Sequence, residues 1–121
     1  MENKLSIEYN NKIKIGGNTY RIFEMPKIEF EGEEYLGLCD YENTDILLSN
    51  NVSEDRMKSV LYHELTHAIF YEAGFLDHDE ETVTRLGIVL RQFIEDNFEW
   101  RDNGKLFREI VNKELKRSDN D

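Results

Sequence analysis

The hydrophobic pattern of the chain changes its period near residue 50, and this change constrains the fold more than any other feature. From Ile13 to Met25, apolar and polar residues alternate on both sides of a Gly-Gly-Asn turn, which is typical of a β-hairpin. Strand-like residues continue from Ile28 to Tyr41, and "DILLS" at 45–49 predicts a further short strand. Beyond residue 53 the apolar residues recur at helical spacing. The sequence therefore predicts an α+β fold, in which a small N-terminal antiparallel or mixed β-sheet is followed by helices.

Three helices are expected in the second half of the chain. Ser53 is a suitable N-cap for the first, which we place at about residues 54–73 because Gly74 is a natural C-terminal stop. The second starts within "DHDEE" and continues to about Asn97. A third amphipathic helix is expected further on. The three apolar stripes consist, in order, of Met57, Val60, Leu61, Leu65, Ala68 and Ile69; of Val83, Leu86, Leu90, Phe93 and Ile94; and of Leu106, Phe107, Ile110, Val111 and Leu115.

The length and charge of the chain limit its organisation and its partners. Its 121 residues suit one domain, which we place at 1–117, followed by a frayed tail at 118–121. A net charge of -11 disfavours direct binding to nucleic acid and favours a basic protein partner. We find no bilayer-spanning apolar run and no secretory signal, and the single cysteine, Cys39, excludes an internal disulfide. We therefore expect a cytoplasmic protein without membrane contact, and a monomer.

The sequence His63-Glu64-Leu65-Thr66-His67 within the first helix has the spacing of a catalytic zinc site, H-E-x-x-H. Residues four apart lie on one face of a helix, about 6 Å apart along its axis, so both imidazoles can reach one zinc ion. Glu64 would lean over the open side of the ion, take a proton from zinc-bound water and pass it to the leaving amine. The alternative is a pair of ordinary histidines beside a solvated glutamate.

A zinc site needs a third protein ligand, and residues 77–81 supply the candidates. Glu80 lies three residues before Val83 and seven before Gly87, so it shares the side of the second helix that should pack against the first. Gly87 would allow close approach of the two helices. We prefer Glu80 as the ligand and rank Glu81 second, since Glu81 lies nearer the flank. Either acid could instead only complement the helix dipole.

Three further residues are candidates for the cleft: Tyr71, His78 and Glu81. Tyr71 lies one turn beyond His67 and could stabilise an oxyanion or hydrogen-bond a ligand, although we favour a half-buried packing role for it. His78 is expected to be a loop histidine near the cleft and not a ligand, because Phe70 and Ala73 occupy the positions that a metzincin would need as glycine and histidine. Cys39 is expected to be a small core residue.

The "HELTHA" helix, followed by a glycine and then by a helix that starts at a glutamate, is similar to the gluzincin arrangement. Residues 45–97, together with the preceding strands and the short length, resemble the minimal zincins of phages and mobile elements. The ImmA/IrrE-like metallopeptidases are the nearest named group. The resemblance implies that His63, His67 and Glu80 bind zinc and that Glu64 is the base.

The same resemblance has implications for the substrate. It implies that "DILLS" is the edge strand beside the cleft, where an extended substrate would add as a further strand. It also implies a protein or peptide substrate, of which a basic DNA-binding regulator is one candidate.

The expected function is therefore that of a zinc-dependent endopeptidase in the cytoplasm of a bacterial host. An alternative from another class is an acidic, phage-type binding or inhibitor protein on a zincin scaffold, which blocks a basic host factor without cleaving it. A third is a structural metal site in a virion component.

Overall fold

The computed structural model describes residues 4–8 and 11–101, so the predicted third helix and the tail at 118–121 lie outside the described residues. The described part contains two helices, α1 (Glu54–Glu72) and α2 (Glu80–Asn97). Its strands are β1 (Leu5–Glu8), β2 (Lys12–Ile15), β3 (Asn18–Met25), β4 (Ile28–Phe30), β5 (Glu33–Tyr35), β6 (Gly37–Asp40), β7 (Asp45–Ser49) and β8 (Phe98–Arg101).

A four-stranded mixed sheet with the order β2-β3-β7-β6 forms the centre of the molecule. β2 and β3 are antiparallel neighbours joined by a tight turn, so the predicted hairpin is confirmed. β3 and β7 run parallel, and β6 returns antiparallel to β7. With the helices that follow it, this sheet confirms the expected α+β fold.

The "DILLS" strand is not at the edge of the sheet, and that expectation was wrong. β7 lies between β3 and β6, and all five of its residues are buried. Ile46 and Leu48 belong to the core under α1, whereas Leu47 packs into a smaller cluster on the opposite face. A strand that is apolar on both faces requires cover on both, which α1 supplies on one face and the β4–β5 hairpin on the other. β6 is the edge strand on this side.

α1 covers one face of the sheet, and the β4–β5 hairpin packs on the other. Ser53 caps α1 as predicted, because its hydroxyl accepts a hydrogen bond from the Arg56 amide at 3.1 Å. The other end of the helix is tied to the β2–β3 hairpin by Glu72. Its carboxylate accepts hydrogen bonds from the hydroxyl of Tyr20 at 2.7 Å and the side-chain amide of Asn18 at 2.8 Å.

α2 packs on α1 along a line that contains Val83 and Gly87, both buried. A Cβ atom at Gly87 would lie 3.4 Å from Oγ1 of Thr66 and 3.5 Å from Cα of His63, so the predicted close approach of the helices is confirmed. Leu86 was expected on the packing face, but it is 48% exposed. The apolar stripe of α2 is thus wider than its contact with α1.

A second, two-stranded sheet joins the two ends of the described chain. β1 pairs in parallel with β8, which follows α2 and was not predicted. Trp100 in β8 donates a hydrogen bond from Nε1 to the hydroxyl of Tyr62 in α1, at 2.9 Å. This bond anchors the small sheet to the main core. In the part of the chain that the structure describes, neither helix is long and apolar enough to cross a membrane.

Candidate metal centre

His63, His67 and Glu80 converge at one end of the contact between α1 and α2. Nε2 of His63 lies 3.1 Å from Oε1 of Glu80, and Nε2 of His67 lies 2.9 Å from Oε2 of the same carboxylate. One ligand atom from each of the three residues lies within 4.8 Å of the others. The two imidazoles therefore share a single carboxylate, as the sequence predicted for Glu80.

Local structure explains how these side chains meet. The two histidines are one turn apart on α1, so their rings are neighbours on one face of the helix, in an edge-to-face arrangement with centroids 4.9 Å apart. Asp79 caps α2 by accepting a hydrogen bond from the Thr82 amide at 2.7 Å. This cap makes Glu80 the first helical residue, at the point where the chain has just returned from the end of α1.

The donor set fits a zinc ion. Two imidazole nitrogens and a carboxylate oxygen are the ligands of many catalytic zinc sites, and a fourth position stays open for water or substrate. Donor atoms around a tetrahedral zinc ion lie about 3.3 Å apart, since each is about 2.0–2.1 Å from the metal. Each imidazole lies within a few tenths of an ångström of this separation from one carboxylate oxygen, His63 at 3.1 Å from Oε1 and His67 at 2.9 Å from Oε2 of Glu80. The side chain of Glu80 is 70% exposed, so solvent reaches the site.

Glu64 lies beside this cluster in a very different environment. It is only 8% exposed. Burial, and to a smaller extent the charge of Glu80, raises the pKa of Glu64 to about 8. A cation held by the two histidines and Glu80 would favour the carboxylate form and lower that pKa again. A carboxyl group with a pKa near neutrality can both take and return a proton.

The edge strand β6 passes directly over Glu64, and Gly37 makes this possible. A Cβ atom at Gly37 would lie 2.4 Å from Cγ1 of Val60 and 3.1 Å from Oε2 of Glu64. Only glycine lets the strand approach α1 so closely. Gly37 therefore holds the free edge of the sheet against the predicted catalytic base.

His67 is held from its other side by His78. Nδ1 of His67 lies 2.9 Å from Nε2 of His78, and Nδ1 of His78 lies 2.7 Å from the carbonyl oxygen of Phe75. His78 is in the loop between the helices, as expected, and it is not part of the three-residue cluster. Burial lowers the pKa of His67, which favours the neutral imidazole that a metal requires.

The other two cleft candidates lie outside the cluster. Glu81 forms an ion pair with Arg85 at 2.8 Å on the exposed side of α2. Tyr71 is half-buried and stacks on Tyr41, with ring centroids 4.2 Å apart and an interplanar angle of 13°. Cys39 packs against the main core, as expected, and burial raises its pKa.

A cavity of about 570 Å³ borders the edge strand next to this tyrosine pair. Leu38 and Leu47 contribute to its apolar wall, and Tyr41 and Tyr71 close one side. Glu29 and Glu42 also line it. The cavity adjoins the end of β6 and has space for side chains of a bound chain.

Sequence reasoning missed two functional features of this region. The role of Gly37 depends on the position of β6, which was not assigned to the edge. The contact between His67 and His78 depends on the path of the loop 73–79. For the second, the sequence shows that His78 lies two residues before Glu80, but it does not give the path of the loop.

Comparisons with protein-family models, with curated proteins and with solved structures found no match.

Proposed function

We propose that this protein is a zinc-dependent endopeptidase. The observation that carries the proposal is the convergence of His63, His67 and Glu80 beside a buried Glu64. This combination would supply three metal ligands and a proton carrier with a raised pKa, and it gives a role to all three fixed residues of H-E-x-x-H.

The chain's own residues have distinct tasks in hydrolysis. His63, His67 and Glu80 hold the ion, and a bound zinc would supply Lewis acidity toward water and the substrate carbonyl. Glu64 removes a proton from the attacking water. It then returns that proton to the amine that leaves when the peptide bond breaks. The reaction needs no covalent intermediate on the protein.

The substrate is proposed to bind along β6. This strand ends the described four-stranded sheet, and a peptide can add to a sheet edge through main-chain hydrogen bonds. Because Gly37 brings β6 against Glu64, a peptide on that edge passes close to the base. The cavity beside Tyr41 and Tyr71 would receive one of its side chains.

A basic protein is the proposed class of substrate, because the enzyme carries a net charge of -11. A DNA-binding regulator would have this property, and the similarity to ImmA/IrrE-like metallopeptidases points to the same class. The proposed setting is the cytoplasm of a bacterial host.

The test compares wild-type protein with Glu64→Gln. Both are loaded with zinc, and their metal content is measured by elemental analysis. Hydrolysis is then followed with labelled casein and with a mixed-sequence library of quenched peptides. We expect one zinc per chain in both proteins and cleavage only by the wild type. Equal turnover by both proteins, or wild-type protein that holds zinc and cleaves neither probe, would contradict the proposal.

The alternative is an acidic binding protein that blocks a basic partner without cutting it, which the net charge of -11 also favours. It is distinguished by a basic partner captured at a 1:1 ratio and recovered intact, with equal capture by Glu64→Gln. Loss of cleavage in Glu64→Gln, with zinc retained, favours the enzyme.

A further inference from the structure

The nitrogen of His67 that faces away from Glu80 has a defined partner. Nε2 of His67 lies 2.9 Å from Oε2 of Glu80, and Nδ1 of His67 lies 2.9 Å from Nε2 of His78. His78 in turn reaches the carbonyl oxygen of Phe75 at 2.7 Å. A chain of two hydrogen bonds thus runs from the loop between the helices to a predicted metal ligand.

The carbonyl oxygen of Phe75 determines which atom donates and which accepts in these two hydrogen bonds. A carbonyl oxygen only accepts, so Nδ1 of His78 carries its proton, and Nε2 of the neutral ring presents a lone pair. Nδ1 of His67 is therefore the donor of the second bond. In neutral His67 the remaining lone pair is then on Nε2, opposite a carboxylate oxygen 2.9 Å away. Two electron-pair donors that face each other in this way repel unless a cation joins them.

His78 is itself held firmly in place. Its ring stacks on Phe70, with centroids 5.3 Å apart and an interplanar angle of 18°. The amide of Phe75 donates to the carbonyl oxygen of Phe70 at 2.9 Å, within the turn that ends α1. The carbonyl that orients His78 therefore belongs to the loop just beyond α1, and the amide of the same residue is hydrogen-bonded back to the last turn of the helix that carries His67.

We propose that His78 is a positioning residue of the metal centre, which accepts the Nδ1 proton of His67 and so directs the Nε2 lone pair of His67 toward the ion. The proposal rests on the proposed zinc site, but not on peptidase activity. Outer partners of this kind orient a ligand imidazole, and their loss commonly reduces metal affinity about 10–100-fold.

The test uses two substitutions of His78, one that keeps the aromatic ring and one that keeps the hydrogen-bond acceptor. His78→Phe keeps a ring that can stack on Phe70 but removes the acceptor. His78→Gln loses the ring but offers a carbonyl oxygen near the former position of Nε2. Asp77→Asn changes an exposed neighbour in the same loop and is the matched control. Zinc affinity is measured for each by competition with a chromophoric chelator, and the metal-free proteins are compared by thermal unfolding.

We expect His78→Phe to weaken zinc binding about 10–100-fold, His78→Gln to recover most of this loss, and Asp77→Asn to match the wild type. A second readout is the Nδ1 proton of His67 in the proton NMR spectrum of zinc-loaded protein. This proton should exchange slowly with water, and give a visible signal, in the wild type and in His78→Gln. In His78→Phe it should exchange rapidly, and its signal should be absent.

The outcomes separate this proposal from the proposed function. Wild-type protein that does not bind zinc would overturn both. Wild-type zinc binding together with unchanged affinity in His78→Phe would overturn only the role of His78. An equal loss of zinc affinity in His78→Phe and His78→Gln would also overturn the role of His78. The affinity would then depend on the packing of the His78 side chain and not on its hydrogen-bond acceptor. Zinc binding without hydrolysis of any probe would count only against the peptidase.

Discussion

Two adjacent carboxylates, Glu80 and Glu81, have the same charge and the same helix-terminal setting, yet they have different partners. Glu80 contacts both His63 and His67, whereas Glu81 pairs with Arg85 one turn further along α2. The helix dipole acts on both residues alike and therefore does not explain the difference. The direction in which each side chain leaves the first turn decides which of them meets α1.

The pair provides a matched test of metal ligation. Glu80→Gln should reduce zinc affinity by more than about 100-fold, since losing a ligand costs more than losing an outer partner. Glu81→Gln should change the affinity less than about twofold, because an exposed ion pair contributes little. Isothermal titration with zinc measures both. Similar affinities for the two variants would show that Glu80 is not a ligand.

Glu64 predicts a pH-dependent effect on stability in the metal-free protein. Its pKa rises from 4.5 to about 8 on folding, so the cost of ionising it in the folded state is absent below pH 4.5 and grows until the pH exceeds about 8. Glu64→Gln should therefore unfold at a higher urea concentration than the wild type at pH 9, with a gain on the order of a few kcal/mol at most. The gain should shrink toward pH 5.

The control for this effect is Glu81→Gln, which removes an exposed carboxylate in the same region. The stabilisation expected for Glu64→Gln at pH 9 should be absent in Glu81→Gln, because the exposed side chain of Glu81 is not buried by folding. All samples contain a chelator, because a bound cation would lower the pKa of Glu64. The prediction would be contradicted if the free energies of unfolding of Glu64→Gln and the wild type differed by the same amount at pH 5 and at pH 9.

At the scale of elements, the close contact between β6 and α1 joins the edge of the sheet to the site. Gly37 lies against Val60 and Glu64, which are one turn apart on α1. The strand therefore contacts the helix at the turn that immediately precedes His67. Any change in the distance between β6 and α1 should therefore affect stability, and with it the proposed site.

A double-mutant cycle can measure this contact. Gly37→Ala should destabilise the protein by about 1–3 kcal/mol, since the new methyl group would overlap Cγ1 of Val60. Val60→Ala removes that atom, so the double variant should be more stable than the sum of the single effects predicts, by about 0.5–3 kcal/mol. Urea unfolding of the four proteins gives the coupling. If the two single effects on the free energy of unfolding simply add, the methyl group introduced by Gly37→Ala does not contact Val60, and β6 must have moved away from α1.

Both helices and the β2–β3 hairpin could be predicted because their signals are local. Ser53 and Gly74 mark the limits of α1, and the turn at Gly16-Gly17 specifies the hairpin. The order of the strands could not be obtained in this way. The run Ile46-Leu47-Leu48 did contain the relevant signal, since a continuous apolar run is typical of a strand buried on both faces. The resemblance to zincins had favoured the edge instead.

The site was predictable to the extent that it depends on helical geometry. His63 and His67 share a face because they are four residues apart, and Glu80 follows from the expected packing face of α2. The partner of His67 was not predictable, because His78 reaches it through a loop with no regular period. Leu86 is a second example of what helical spacing does not predict. Its spacing places it with the apolar residues of α2 that pack on α1, but it is 48% exposed.

At the scale of the whole molecule, the candidate ligands belong to both helices. His63 and His67 come from α1, and Glu80 comes from the start of α2. A bound ion would therefore link the two helices at the end where the connecting loop lies. Because an unfolded chain does not keep these three side chains together, metal binding should favour the folded state.

This arrangement predicts a zinc-dependent unfolding temperature. At a free zinc concentration 100 times the dissociation constant, the free energy of unfolding should rise by about 2.7 kcal/mol, which corresponds to about 10 °C in Tm for a domain of this size. Differential scanning fluorimetry across a zinc series measures the shift. His63→Ala should remove it while Asp77→Asn keeps it. A zinc-induced shift that persists in His63→Ala would place the stabilising ion elsewhere.

The pairing of β1 with β8 has a consequence for biosynthesis. The strand at 98–101 is synthesised more than ninety residues after its partner at 5–8. Residues 5–8 therefore have no β8 to pair with until α1 and α2 have been synthesised. Contacts between distant parts of a sequence form slowly because closing a long loop costs entropy. Completion of this small sheet, and the docking of Trp100 on Tyr62 with it, is thus a late step that translation itself postpones.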